Sequence, residues 1–481
     1  MTPPAAVTAD TASEAQGAPA AYPPLRLCLG FGVGTSGISI LLNTVSVYFP
    51  ALMATVLGVN PAVAGTLVML SKIYDAVADV VIGQLSDKWR ARMGRRPFLL
   101  AGALVSFVSL LMIFLAPPMS GNALIAWMAV GLVIYSTGYS LFNVPYLTMP
   151  SEITSNNAQR LRLISFRTAF IGVGQLTALA LSAWLIQLGG GGRIGYLMMG
   201  GVMAVLALAT MLGSWWGTRG AKESRAAGTP HRLSMEDFRS LLDNRPLFVL
   251  LGAKLCQYVA FGVLMPITLL FLLNVMSVGY TGMIHQSVVQ NGAVFLSMPA
   301  WTRIGRRIGK RNAYLLAQVI MIPAVISWFW ADAATGYPGI WWRSAVFGFA
   351  SGGALLMSTS MLPDTIEFDR LKNGLERGGV FASLYSVNEK LGFAIGALVL
   401  GWGLSIAGYV ATKNGALVEQ SARTIAALYA IKTTVPAAML AVGAALLLLY
   451  DLDEDKLERL RAAKGGADPV IPAHAGTVGK S

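Results

Sequence analysis

The sequence predicts an all-α, polytopic membrane protein with 12 transmembrane helices in two pseudo-symmetric six-helix bundles. Three observations lead to this fold class. The chain of 481 residues is 55% hydrophobic and only 12% charged, whereas a soluble domain carries about 25% charged residues. Apolar runs of about 20 residues, the length that crosses a bilayer, recur along the chain. The longest polar interruption, 218–246, follows the sixth run and separates two sets of six.

The predicted spans follow one another with short polar connections. We place them at 27–49, 62–86, 97–116, 122–148, 163–187, 195–217, 247–275, 280–301, 313–332, 338–363, 380–409 and 424–450. The resulting regions are a disordered tail (1–24), a first bundle (25–217), a central loop (218–246), a second bundle (247–451) and a C-terminal tail (452–481).

Basic residues concentrate in alternate loops. The loops after spans 2, 6, 8 and 10 contain Lys88, Arg90, Arg92, Arg95, Arg96, Arg219, Lys222, Arg225, Arg232, Arg239, Arg245, Arg303, Arg306, Arg307, Lys310, Arg311, Arg370, Lys372 and Arg377. The opposite loops contain only Arg193, Lys413 and Arg423. Because cytoplasmic loops carry the excess of Lys and Arg, both termini are predicted to be cytoplasmic. The net charge of +13 is then a topology signal, and nucleic-acid binding is not expected.

A short internal repeat supports the division into halves. Gly94-Arg95-Arg96 follows span 2, and Gly309-Lys310-Arg311 follows span 8, at an offset of 215 residues. Matching basic loops at the same place in two six-helix halves are typical of transporters built from parallel repeats.

Charged residues inside the spans identify the candidate site. They are Lys72, Asp75, Asp79, Arg167, Lys254, Arg343, Glu389 and Lys390. Asp75 and Asp79, four residues apart, lie on one face of a helix. Two carboxylates in a bilayer need a partner, and their oxygens suit sodium or one shared proton. We therefore predict a cation site. The alternative is a structural ion-pair network in which Lys72 bonds Asp75 and Lys390 bridges from the other half.

Span 4 carries a second polar face. Tyr139, Ser140 and Asn143 lie together on it, which predicts either the lining of a cavity or hydrogen bonds between helices. Cys28 and Cys256 both lie in apolar runs, so neither a disulfide framework nor a cysteine metal site is predicted.

Several motifs together resemble one family. They are Tyr74-Asp75-Ala76-Val77-Ala78-Asp79, Gly94-Arg95-Arg96-Pro97, Asn143-Val144-Pro145-Tyr146, and Tyr385-Ser386-Val387-Asn388-Glu389-Lys390-Leu391-Gly392. This combination resembles the glycoside–pentoside–hexuronide:cation symporters, a branch of the major facilitator superfamily. The resemblance extends over residues 27–450 and implies the twelve-helix major facilitator fold.

The resemblance also implies a role for each matching residue. The cation ligands would be Asp75, Asp79 and Ser140, and Asp75 and Asp79 would hold Na⁺ if sodium is the coupling ion. The residues that couple the cation and substrate sites would be Lys390 and Lys72. Substrate-binding positions would be Gly37, Tyr139, Asn143, Arg167 and Ser386. A cytoplasmic gate would consist of the acids Asp364 and Glu367 meeting basic residues such as Arg377.

The implied function is secondary transport rather than catalysis. A cation, H⁺ or Na⁺, would drive symport of a sugar, glycoside or uronide by alternating access, with no cofactor beyond that ion. The protein would function as a monomer in the bacterial inner membrane. Ala78 stands where a family member has an asparagine, which weakens the case for sodium and strengthens that for protons. The alternatives are a symporter of a lysophospholipid-like amphipath and, more remotely, an intramembrane enzyme of the prenyltransferase type.

Overall fold

The computed structural model describes residues 24–154, 156–219, 244–375, 377–416 and 418–463. The helices of these ranges are α1 (Leu25–Ala51), α2 (Pro61–Met93), α3 (Arg96–Phe114), α4 (Gly121–Ile153), α5 (Asn157–Leu176), α6 (Ser182–Leu188), α7 (Arg193–Gly217), α8 (Arg245–Asn274), α9 (Gly279–Ile308), α10 (Lys310–Ile326), α11 (Gly336–Asn373), α12 (Gly378–Ile406), α13 (Ala422–Leu448) and α14 (Glu454–Ala463). The π-helical turn Thr177–Leu181 joins α5 and α6 into one rod, and a second, Leu52–Val56, extends α1.

Every predicted span coincides with a long helix or with consecutive helical segments. Within the described ranges, 10 helical segments are long and apolar enough to cross a membrane. α2 and α9, with 33 and 30 residues, are also long enough but more polar. The all-α, multi-pass character of the prediction is therefore confirmed. Most of the predicted tails and of the central loop, 1–23, 220–243 and 464–481, lies outside the described residues.

The helices pack mainly within two groups that correspond to the two halves of the chain. In the first half α1 packs against α5 and α7, α3 against α4 and α7, and α2 against α4. In the second half α8 packs against α12 and α13, α9 against α11, and α10 against α11 and α13. The principal contacts between the halves are α2 with α12, followed by α1 with α8 and α6 with α9.

Glycines bring α2 and α12 into close contact. A Cβ atom on Gly65 would lie 2.5 Å from the carbonyl oxygen of Ala397 and 3.0 Å from Cα of Gly401. From this crossing, Asp75 lies about 15 Å further along α2 and Lys390 about 16 Å back along α12, at 1.5 Å per residue. The close approach therefore sets the register that places a lysine of one half beside an aspartate of the other.

The loops join the two halves at one end of the molecule. The backbone amides of Asn414 and Gly415 donate to the carbonyls of Val56 and Thr55, each at 3.0 Å. The Oγ1 atom of Thr281 donates to Oε1 of Gln187 at 2.8 Å. These bonds hold the two halves together at the end opposite to the arginine-rich loops.

Candidate cation and substrate site

Four predicted residues meet where the two halves face each other. Oγ of Ser140 on α4 lies 2.9 Å from Oδ1 of Asp75 and 2.6 Å from Oδ1 of Asp79. Nζ of Lys390 on α12 lies 3.0 Å from Oδ2 of Asp75 and 2.5 Å from Oδ2 of Asp79. The same ammonium donates to the backbone carbonyl of Asp75 at 3.1 Å. We call Asp75, Asp79, Ser140 and Lys390 the carboxylate cluster.

The cluster has a net charge of −1 when its two carboxylates and its lysine are ionised. A hydroxyl carries one hydrogen, so Ser140 can donate to only one of the two carboxylates at a time. The other short oxygen–oxygen contact is favourable when a proton or a cation lies between the groups. The Asp75 side chain is 3% exposed and that of Asp79 is 22% exposed, so Asp79 is the accessible member. The cluster is thus suited to one additional monovalent cation.

Lys72 does not form the ion pair with Asp75 that the alternative interpretation of the sequence predicted. Among the described residues no ion pair joins it to Asp75, and its Nζ lies 5.7 Å from the ring centroid of Tyr135. The Asp75 carboxylate is instead engaged by Ser140 and Lys390. The alternative prediction of a structural ion-pair network is therefore wrong about the Lys72–Asp75 pair. Lys72 remains a buried cation beside the cluster.

A cavity of about 580 Å³ lies between the halves and reaches the carboxylate cluster. Its lining includes Lys72, Asp75 and Lys390, together with four predicted substrate-binding residues, Tyr139, Asn143, Arg167 and Ser386. Nδ2 of Asn143 lies 3.4 Å from the hydroxyl of Tyr139. The polar face predicted for α4 therefore contributes to two sites. Ser140 contacts the carboxylates, whereas Tyr139 and Asn143 line the cavity.

Gly37 does not line this cavity. A Cβ atom at this position would lie 2.6 Å from Cγ of Met211, 2.7 Å from Oγ1 of Thr210 and 3.0 Å from the carbonyl oxygen of Ala207. Gly37 is therefore a packing position between α1 and α7, and its assignment to the substrate site is corrected. The absence of a side chain there allows the two helices to approach closely.

The cavity contains more charge than the sequence predicted. Lys254, Arg343 and Glu389, recognised only as intramembrane charges, all line it, and so does Lys432. With Asp79 included, six cationic side chains face three carboxylates, an excess of three positive charges. Sequence reasoning missed Lys432, although a lone lysine in the middle of an apolar span is itself a signal of function.

The predicted gate residues are paired differently from the expectation. Lys310 holds Asp364 at 2.7 Å, and Arg461 of α14 holds Glu367 at 2.7 Å. Arg377 pairs with Asp369 at 2.7 Å, which corrects the predicted meeting of Arg377 with the other two acids. Arg377 pairs with Asp369 because of the turn that ends α11.

The left-handed residue Gly374, with φ of 72°, ends α11 and turns the chain back, which places Arg377 beside the last turn of α11.

Hydrogen bonds to Glu367 raise the pKa of the Arg461 guanidinium. These ion pairs all lie within the second half. In the first half, Arg95 likewise holds Glu152 at 2.9 Å and Asp87 at 2.7 Å. The arginine-rich end is therefore braced separately in each half.

Comparison with known proteins places this architecture in a family. The model of the family described as "MFS/sugar transport protein" matches residues 30–454. The chain is 25% identical over 465 residues to the uncharacterized symporter YnaJ of Bacillus subtilis (strain 168), covering 93% of this chain and 96% of that protein. It is 26% identical over 462 residues to the putative glycoside/cation symporter YagG of Escherichia coli (strain K12), covering 92% and 96%.

A solved structure shows the same fold. It is a bacterial homologue of the human lysosomal transporter Spinster, in an inward-facing and unoccupied conformation. The TM-score is 0.62 at 17% identity, covering 94% of this chain and 100% of that one. The family match extends over most of the chain and confirms both the resemblance and the prediction that the protein is not an enzyme. The chain belongs to the MFS/sugar transport protein family, whose members are membrane transporters.

Proposed function

We propose that the protein is a secondary active transporter that couples the entry of one cation, H⁺ or Na⁺, to symport of a sugar, glycoside or uronide. The observation that carries the proposal is the contact of Lys390 with Asp75 and Asp79 across the interface between the halves. A cation that binds the carboxylates competes with the lysine for them. Cation binding therefore changes the attraction that holds the halves together at this point.

The proposed mechanism is alternating access by rocking of the two halves. A cation neutralises the remaining charge of the carboxylate cluster, Lys390 is released or reoriented, and the substrate site then forms beside it. Each positive charge that enters down the membrane potential supplies about 2.3 kcal/mol per 100 mV. That energy is sufficient to concentrate a substrate many-fold.

The cavity lining supports a polyhydroxylated substrate. Amide side chains both donate and accept hydrogen bonds, as sugar hydroxyls do. The amides on the lining are Asn43, Asn143, Gln175, Gln257, Gln286, Gln290 and Asn291. Aromatic rings that can stack on a sugar face line the same space, among them Tyr258, Tyr385 and Trp328. These amides and rings favour a sugar or uronide over a lysophospholipid-like amphipath, in a lining that also contains apolar residues such as Leu42 and Leu264.

We extend the ten apolar segments to twelve transmembrane helices in two six-helix bundles. α2 and α9 are the more polar helices, and both line the cavity, through Lys72 and Asp75 on α2 and through Gln286, Ser287 and Gln290 on α9. Polar residues that face a water-filled cavity are tolerated inside a membrane. Their low hydropathy is thus a consequence of function.

The arginine-rich loops orient the molecule. By the positive-inside rule, we infer that these loops, and with them both termini, face the cytoplasm, and the bacterial relatives support a bacterial inner membrane. The end where 54–58 contacts 412–415 then faces outward, which supports an inward-facing conformation. We propose that one chain is the functional unit, because the cavity and the carboxylate cluster are formed within a single chain.

The test is uptake into membrane vesicles with an imposed Na⁺ or H⁺ gradient and a panel of labelled sugars, glycosides and uronides. We expect uptake with one ion. Asp75→Asn or Asp79→Asn should lower gradient-driven uptake at least about 100-fold, because loss of one member of a buried ion pair costs on the order of 3–5 kcal/mol. The matched control is Glu419→Gln, which neutralises an exposed loop carboxylate. Unchanged coupling in both aspartate variants would contradict the proposal.

A further inference from the structure

The wall of the cavity in the second half contains a lysine that the carboxylate cluster does not use. Lys432 of α13 lines the cavity and is 1% exposed. Its Nζ donates to Oγ1 of Thr268 at 2.9 Å and lies 4.3 Å from the ring centroid of Trp328. An ammonium has three hydrogens to donate. In the part of the chain that the structure describes, no carboxylate pairs with this one.

A second cation contacts the same indole ring. Cζ of Arg343 lies 5.7 Å from the ring centroid of Trp328. The guanidinium donates from Nε to the carbonyl of Ser327 and from Nη1 to that of Gly339. Asp332 contributes an attraction to Arg343, but it is exposed and its carboxylate accepts hydrogen bonds from Thr335. Both cations thus lie around one indole ring, at 4.3 and 5.7 Å from its centroid, and both add positive potential that an anion in the cavity would offset.

Two serines of the cavity lining carry hydroxyl groups without a partner among the described residues. Ser344 and Ser287 are 2% and 3% exposed, both line the cavity, and neither Oγ atom has a hydrogen-bond partner within the described ranges. A buried polar atom without a partner is costly. A polar ligand that enters the cavity would supply the partners that these hydroxyls lack.

We propose that Lys432, with the added positive charge of Arg343, binds a singly charged oxyanion of the transported substrate, a carboxylate or a sulfonate. The hydroxyls of Ser287 and Ser344 contact neutral polar atoms of the same molecule. This inference rests on the proposed function and narrows its substrate class to anions. It also assigns a cause to the positive excess of the cavity, since one substrate anion offsets part of that excess.

The experiment measures binding by calorimetry to the purified full-length protein in detergent, without any ion gradient. The carboxylate arm compares methyl glucuronide with methyl glucoside. The sulfonate arm compares 2,3-dihydroxypropane-1-sulfonate with propane-1,2-diol. In each pair the two members differ in the presence of the anion. We expect the charged member to bind at least about 10-fold more tightly in one arm, the scale of a charge-assisted hydrogen bond. The arm in which this preference appears shows whether the anion is a carboxylate or a sulfonate.

Variants then locate the anion. Lys432→Gln should weaken the charged member about 10- to 100-fold and leave the neutral member within about 3-fold. Lys432→Arg should retain the preference for the charged member. The control is Arg423→Gln, which removes one positive charge from an exposed position on the same helix. If Lys432→Gln does not fold, Thr268→Val takes its place, because it removes the hydroxyl that orients the ammonium. Thr268→Val should weaken binding of the charged member more than binding of the neutral one.

Two results would overturn this inference. One is the absence of a preference for the charged member in both arms. The other is an equal effect of Lys432→Gln, or of Thr268→Val, on the two members of a pair. Failure of the proposed function is a separate result, since it appears as uptake that ignores every imposed ion gradient while anion binding without a gradient persists.

Discussion

Two buried lysines of this protein, Lys390 and Lys254, have opposite kinds of partner. Lys390 contacts two carboxylates that belong to the other half of the molecule. Lys254 donates to Gln257 at 3.0 Å and to Ser358 at 3.2 Å, both in its own half. An ion pair across the interface is broken when the halves separate, whereas hydrogen bonds within one half move with it. In the proposed mechanism, the position of its partners, more than its burial, therefore gives Lys390 the coupling role.

Replacing Lys390 should have the largest effect. Lys390→Met leaves two carboxylates without their counter-charge, and breaking a buried ion pair costs on the order of 3–5 kcal/mol. We expect gradient-driven uptake to fall at least about 100-fold. The affinity of the cluster for the coupling cation should rise, because the cation no longer competes with an ammonium. Uptake assays and the shift of Tm with Na⁺ concentration or pH measure the two effects, and Lys390→Arg is the charge-preserving control. Weaker cation binding in Lys390→Met would argue against competition.

Removing the hydroxyl of the cluster should have an intermediate effect. Ser140→Ala deletes a group in contact with both carboxylates but keeps all charges. A hydrogen bond to a charged group contributes about 1.5–3 kcal/mol, so cation affinity should fall about 10-fold or more, with uptake restored at high cation concentration. Ser136→Ala is the matched control, because Ser136 lies one turn earlier on α4 and bonds Ser71 at 2.9 Å. An equal loss in both variants would assign Ser140 a packing role.

Replacing Lys254 should have the smallest effect on coupling. Lys254→Met removes the two hydrogen bonds within the second half and the contact of Nζ with the Tyr258 ring, 4.5 Å from its centroid. We expect substrate affinity to fall about 10-fold or more, because both hydrogen bonds come from an ionised donor, with the dependence on cation concentration unchanged. Initial uptake rates over a matrix of cation and substrate concentrations separate the two quantities. A loss of cation dependence as large as that of Lys390→Met would contradict the comparison.

The residues predicted to form a gate illustrate why some contacts could not be predicted. The sequence identified Asp364, Glu367 and Arg377 as charged residues at the end of one span, which is a local property. Which of them pair depends on the left-handed turn at Gly374 and on the return of α14, whose Arg461 is separated from Glu367 by 94 residues. Sequence motifs do not show that α14 packs back against the end of α11.

The sequence by itself determined the properties that repeat at short range. Apolar runs of bilayer length predicted the helices, a spacing of four placed Asp75 and Asp79 on one face, and basic loops at matching places indicated the two halves. Only the tertiary structure decided which side chains meet. Lys390 reaches Asp75 over a separation of 315 residues, Ser140 contacts both carboxylates, Gly37 packs against α7, and Lys432 joins the cavity wall. The reason is that helix periodicity is a property of neighbouring residues, whereas these contacts depend on how the helices pack and cross.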